Sequence, residues 1–155
     1  MATHVNGSLS HGYGRVALKL GEKMSTDPQM LGWRSVCPIS SGLDILGDKW
    51  SLLIVRDLHS HGSLTYSEFL EAPEHIATNI LAARLRFLTF VGIIERTDPR
   101  AAARNNAYRL TKSGKALRPV VEELGKWSEA YLKTLHTDMV EIFNQANVTQ
   151  THHQA

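Results

Sequence analysis

Cysteine is almost absent from this chain, with one residue, Cys37, in 155. A single thiol excludes an intrachain disulfide framework and fits a reducing compartment. Long apolar runs are missing too. Nothing approaches the roughly 18 residues of a membrane-spanning helix, and the N-terminus lacks the apolar core of a secretory signal. The expected location is therefore the cytoplasm, with no membrane partner. Asn147-Val148-Thr149 matches a glycosylation sequon, which in that compartment is a chance match. There is no glycine-rich phosphate loop, nucleophile elbow or carboxylate pair in a cleft, so the sequence does not read as an enzyme. His59, His61, His75 and the pair His152-His153 have neither a second cysteine nor a His-x3-His helix to join them. That argues against a metal site, and no cofactor is expected.

The formal net charge of +2 is too small to name a partner. Its distribution says more. Between Ile76 and Arg118 stand nine Lys and Arg against two acids, Glu95 and Asp98, a net +7 that leaves −5 for the rest of the chain. A basic block inside a folded region, not in a tail, is the footprint expected for phosphate contacts.

The same stretch is patterned. Ala77, Ile80, Leu81, Leu85, Leu88 and Val91 share one arc of about 100° on a helical wheel. Thr78, Asn79, Ala82, Ala83 and Arg86 hold the opposite arc, small or polar, as suits a helix entering a major groove. The alternative for this arc is an ordinary solvent face. Arg84 falls beside the apolar arc and is expected to brace the domain by an ion pair or backbone contact. Gly92 stops the helix. Ile93 to Thr97 then reads as a strand and Ala107 to Leu110 as its return, across a turn-rich basic loop. Arg100 and Arg104 in that loop are placed in a minor groove or on phosphate, and Lys112 joins the DNA-contacting set.

Upstream, Met1 to about Met30 is rich in Gly, Ser, Thr and His and is expected to be disordered or loosely docked. Pro38 reads as the first residue of a helix running to Gly47, with Cys37 as its cap. Asp48 caps a second helix, whose Trp50, Leu53, Ile54 and Leu58 are expected to be the main core. Ser67 is the expected cap of a short third helix carrying Phe69 and Leu70. Pro73-Glu74-His75 is the turn into the Ala77 helix. Short helix, tight turn and longer helix make a helix-turn-helix. Downstream, Thr111 can cap a helix on which Leu117, Val120, Val121, Leu124, Trp127 and Tyr131 repeat at helical spacing, kinked at Pro119. That face exceeds what so small a domain needs. A second subunit covering Leu117, Val121, Leu124, Trp127 and Tyr131 explains the surplus most simply, and Met139, Val140, Phe143 and Ala146 extend it. The expected division is 1–33 flexible extension, 34–135 DNA-binding domain and 136–155 helix extension with a polar tail. The fold class is mostly α with a small β-hairpin wing (α+β), a winged helix-turn-helix.

Five motifs occur in register: Cys37-Pro38; Gly47-Asp48-Lys49-Trp50 before an aliphatic helix; Arg84-Leu85-Arg86-x-Leu88; Gly92-Ile93-Ile94-Glu95-Arg96; and Tyr108-x-Leu110-Thr111-x-x-Gly114. Together they resemble the HxlR-type bacterial transcription regulators, relatives of the MarR winged helices, over about Val36 to Leu135. The resemblance implies a homodimer joined by its first and last helices, a pseudo-palindromic operator on double-stranded DNA, and a response to a cellular signal. In some members that signal is an electrophile or oxidant sensed by the cysteine aligned with Cys37. Pro38 leaves the Cys37 sulfur at the positive end of a helix, where a thiolate is favoured, and Arg34 lies three residues upstream. A structural thiol that merely packs is the rival reading. Two departures concern DNA preference. Ala77 stands where the family usually has Ser, a cap poorer by roughly 1 kcal/mol, and the wing is shorter and more basic. Two other functions stay open: a winged-helix module that binds protein, and a regulator controlled by a small-molecule ligand and not by thiol chemistry.

Overall fold

The computed structural model describes residues 31–100 and 106–142. The chain divides into two units, one ending at Asp44 and the other starting at Ile45. The first holds most of helix α1, Pro38–Leu46. As expected, Pro38 opens it, where a missing N–H costs nothing, and the Ser41 N–H reaches the Cys37 carbonyl at 3.0 Å. The side-chain acceptor at this end is the Ser35 hydroxyl, which takes the Cys37 N–H at 3.2 Å. Arg34 pairs with the Asp44 carboxylate through Nε and its backbone N–H, so its charge is engaged there and not at the Cys37 thiol.

The second unit runs α2 (Ser51–His61), β1 (Ser63–Thr65), α3 (Tyr66–Leu70), α4 (Thr78–Phe90), β2 (Ile94–Arg96), β3 (Ala107–Leu110), α5 (Lys112–Lys115) and α6 (Arg118–Tyr131). Helix α2 buries Ser51, Ile54, Val55 and Leu58, one stripe at i, i+3, i+4 and i+7. Trp50 and Leu53, expected in the core, fall on the edge of that stripe and are half-buried, while Val55 points inward. Phe69 of α3, Ile76 before α4, Leu81, Leu85, Phe87 and Leu88 of α4, Ile93 before β2, and Leu64, Ile94, Tyr108 and Leu110 of the sheet complete the core.

The three strands pair antiparallel in the order β1-β3-β2. Register places Leu64 opposite Tyr108, Ile94 opposite Leu110 and Arg96 opposite Tyr108. The hairpin β2–β3 is the expected one. Strand β1 adds an unexpected third, three residues long with one buried side chain, too short to show alternation.

Local chemistry explains the helix ends. Thr65, not Ser67, caps α3: its hydroxyl accepts the Glu68 N–H at 3.4 Å, and the Glu68 carboxylate accepts the Thr65 N–H at 2.6 Å. This capping box satisfies two N–H groups reciprocally, and Ser67, inside the helix, has no such partner. Helix α4 ends with Gly92 at φ +73°. There the Ile93 N–H reaches the Leu88 carbonyl at 2.9 Å and the Gly92 N–H reaches Thr89 at 3.1 Å, a Schellman motif. Thr111 caps α5 as expected, accepting the Gly114 N–H at 3.2 Å. The rod expected to kink at Pro119 is instead two helices. Pro119 lies in the first turn of α6, where it begins a helix and does not bend one. The helical extension expected beyond residue 136 is not seen over the described residues, which form turns from 132 to Ile142. The Met139 N–H closes on the His136 carbonyl there at 3.1 Å, a turn and not a helical bond. Phe143 and Ala146 lie outside the described residues. No helix among the described residues is long and apolar enough to cross a membrane.

Gly114 seats α5 against the foot of the hairpin. A Cβ at this position would lie 2.1 Å from the Ile93 carbonyl oxygen and 3.0 Å from a Leu110 methyl. Backbone is the obstacle, so relief needs movement of β2 or α5. Gly114→Ala should therefore lower stability by about 1–3 kcal/mol, read as a shift of the urea midpoint. An unchanged midpoint would show that α5 slides freely.

Candidate nucleic-acid interface

Helix α4 is held at its head by a tight turn and two polar links. His75 takes a positive φ of 53°, and its N–H closes on the Ala72 carbonyl at 3.1 Å. Ala77 occupies the cap position with extended backbone and no side-chain bond. The Tyr66 hydroxyl of α3 donates to the Thr78 carbonyl at 2.7 Å, which ties α3 to the head of α4. Arg56 of α2 grips Glu74 in the turn by two bonds, at 2.7 and 3.2 Å. That guanidinium holds the Glu74 carboxyl below its ordinary range.

With Leu81, Leu85 and Leu88 beneath, Thr78, Asn79 and Arg86 are exposed and Ala82 and Ala83 are half-buried. Two residues expected on the apolar arc, Ala77 and Ile80, lie exposed at the outer edge of the helix head, and Phe87 is buried in their stead. The arc therefore lies toward the C-terminal turns, where the sheet supplies a surface to pack on. Arg84 braces the domain, as expected. Its Nη1 lies 3.0 Å from Asp48 Oδ2. Asp48 also caps α2, accepting the N–H groups of Trp50 and Ser51 at 2.9 and 3.0 Å. Burial alone would raise the Asp48 carboxyl. The Ser51 hydroxyl, the Trp50 N–H, Arg84 and the Ser51 N–H outweigh burial and hold it below its ordinary value.

The basic block is smaller than its count. Arg84, Arg109 and Arg118 pair with Asp48, Glu95 and Glu122. Arg86, Arg96, Arg100, Lys112 and Lys115 have no ion pair among the described residues, and of these all but the half-buried Arg96 are exposed. Arg104 lies outside the described residues.

The base of the wing depends on Asn106, which the sequence presented only as a turn residue. Its side chain is buried, at 1% exposure. Oδ1 accepts the Asp98 N–H at 3.1 Å and the Thr97 hydroxyl at 3.3 Å, and Nδ2 donates to the Asp98 carbonyl. Asp98 in turn accepts the Arg100 N–H at 2.8 Å. Asx side chains favour such local bonds, but burial of this one follows from the sheet and is not visible locally.

Elsewhere, the expected interface set on α6 divides. Leu117 and Val121 are half-buried, whereas Leu124, Trp127 and Tyr131 stand 48%, 52% and 70% exposed, joined by Val120. Cys37, in the first unit, is exposed. A hollow of about 20 Å³ lies between α2, α3 and α4, lined by Trp50, Leu53, Phe69, Ile76 and Leu81 among others. It is far smaller than the roughly 300–1,000 Å³ of small-molecule sites.

The comparisons agree with this geometry. The family profile described as HxlR-like helix-turn-helix matches residues 45–136. The uncharacterised HTH-type transcriptional regulator YvaP of Bacillus subtilis is 33% identical over 98 residues, 63% of this chain and 90% of YvaP. Among solved structures, the redox regulator HypR in its reduced form is 27% identical, with a TM-score of 0.57 over 65% of this chain and 99% of that one. The regulator YodB of B. subtilis, in reduced form, is 31% identical, with a TM-score of 0.52 over 63% and 95%. YodB has also been solved with quinone bound.

Asn106→Ala should strip the wing base of its bonds to Thr97 and Asp98. Leaving buried groups unmatched costs about 1–3 kcal/mol, again read from the urea midpoint. A wild-type midpoint would mean that strand pairing alone closes the wing.

Proposed function

The chain belongs to the HxlR-like helix-turn-helix family, and from that premise we propose how it acts. It is a winged-helix transcriptional regulator and not an enzyme. It works in the cytoplasm as a homodimer on a pseudo-palindromic operator in double-stranded DNA. The observation that carries this reading is the exposure of Asn79 and Arg86 on the face of α4 opposite its buried leucines, with Thr78 exposed at the helix head. Arg86 suits bidentate contact with guanine, and Thr78 and Asn79 suit other base edges. Ala82 and Ala83 are small enough to let the helix approach. Arg100, Arg104 and Lys112 rest on phosphate. The exposed Leu124, Trp127 and Tyr131 on α6 supply the subunit contact, with Leu117 and Val121 at its edge.

Base and phosphate contacts separate by salt dependence. Arg86→Ala should cost about 1–3 kcal/mol on the operator and relax preference at one position. Arg100→Ala and Arg104→Ala should weaken binding to all sequences alike and reduce the salt slope by about 1 each. Anisotropy titrations at several salt concentrations read both. Equal losses on operator and random duplex for Arg86→Ala remove it from the base-reading set. Affinity indifferent to salt favours the protein-binding module instead.

Regulation is proposed to run through Cys37. Support comes from the exposed thiol and from the likeness to HypR and to quinone-bound YodB. Conjugate addition to a quinone breaks the S–H bond and a ring C=C π bond and forms one S–C bond; the thiol proton and the ring proton at that carbon end on the two carbonyl oxygens, giving a hydroquinone thioether. A change of operator affinity on quinone treatment should vanish in Cys37→Ser, which keeps wild-type binding without quinone. Identical titrations for treated and untreated wild type leave the regulator without this switch.

A further inference from the structure

Arg84 differs from the other cations of the basic stretch in where it points. Two residues from exposed Arg86, it lies about 200° away around the helix. Its guanidinium reaches the head of α2, 3.0 Å from Asp48 Oδ2, and lies over the Phe87 ring at 5.2 Å from the centroid. Asp48 is fixed at its own end. One carboxylate oxygen takes the Trp50 and Ser51 N–H groups, and the other takes the hydroxyl of fully buried Ser51. The carboxylate thus belongs to α2 and the guanidinium to α4.

Stability alone gives this joint little to do, because its side chains keep 22% and 28% exposure and such pairs contribute little. Direction is what it adds. A stripe of leucines is nearly indifferent to a small roll of the helix, whereas a charge-assisted bond is not. Helix α2 also packs against α6, so a joint between α2 and α4 fixes the roll of α4 relative to the exposed face of α6. Resting on the assignment of α4 to base readout and α6 to subunit contact, we propose that Arg84 is a positioning residue. Through Asp48 it sets the roll of α4, and so which base pairs meet Thr78, Asn79 and Arg86 in each half-site. It touches no DNA. Without the bond, readout blurs while attraction to phosphate persists.

The test uses the full chain and two probes: a duplex enriched by wild-type protein from a random-sequence pool, and an unselected duplex of equal length. Two variants cut the joint from opposite ends. Arg84→Met keeps an aliphatic stem over Phe87 and removes the charge. Asp48→Asn keeps an equally good cap and removes the countercharge. Both should lower the ratio of affinities, selected over unselected, about tenfold, the effect of one misread base pair. Affinity for the unselected duplex and the salt slope should stay at wild-type values. Arg84→Lys, which still offers Asp48 a donor, should retain most of the ratio. An unchanged ratio in both variants overturns the proposal. Equal losses on both duplexes overturn it too, whether with a shallower salt slope, as for a phosphate contact, or tracking a lowered melting midpoint, as for a purely structural pair. Wild-type protein that enriches no duplex overturns DNA reading itself, and the wild-type arm tells that failure from the others.

Discussion

The packing of Leu81, Leu85 and Leu88 beneath α4 decides what this molecule can present to a partner. The three lie at i, i+4 and i+7, one narrow stripe, and all are 1% exposed or less. Exposing them would cost about 1.5–3 kcal/mol each. That excludes any rotation of α4 that would turn Arg86 inward, and it leaves Asn79 and Arg86 in solvent, with Thr78 exposed at the helix head. The hairpin inherits its place from the same helix. The Schellman turn at Gly92 aims Ile93 into the core, and the Ile93 carbonyl then meets Gly114 and the Thr111 N–H. One apolar stripe and one close backbone approach thus set both reading helix and wing.

Onto this apolar frame the chain adds a few directional bonds: Tyr66 to the head of α4, Arg56 to the turn before it, Asp48 to Arg84 and Asn106 across the wing base. Each fixes more finely an orientation that apolar packing sets only coarsely. Placement of charge follows from these joints. Three cations are matched internally, and the exposed remainder described, Arg86, Arg100, Lys112 and Lys115, lies on α4, the wing and α5. A surface sorted this way suits an anionic, groove-bearing partner.

Where the sequence was legible, the signal was local. The period of α4, the stop at Gly92, the caps at Asp48 and Thr111 and the β2–β3 hairpin each rest on residues within a few positions of one another. Strand β1 was not legible, because three residues carry no period and its partner β3 lies more than forty residues on. Ser67 and Thr65 are both acceptable caps in isolation. Glu68 decides between them by reaching back to Thr65. Pro119 was read as a kink because Leu117 and Val120 continue the apolar repeat across it, yet the chain restarts there. The bracing role of Arg84 was legible but its partner was not, since Asp48 lies 36 positions away. Burial of Asn106 was hidden because it follows from the pairing of the sheet and not from its neighbours in sequence.

In the proposed complex, two copies of α4 enter successive major grooves of one duplex. A hydroxyl-radical footprint of the wild-type protein on a stretch of its own genome that it retains tests this most directly. Two symmetric protected patches are expected, with centres about 34–36 Å apart or a multiple of that spacing, and a complex mass matching two chains of 17.3 kDa. A single patch occupied by one chain, or no protection at salt concentrations where the protein is folded, would contradict it.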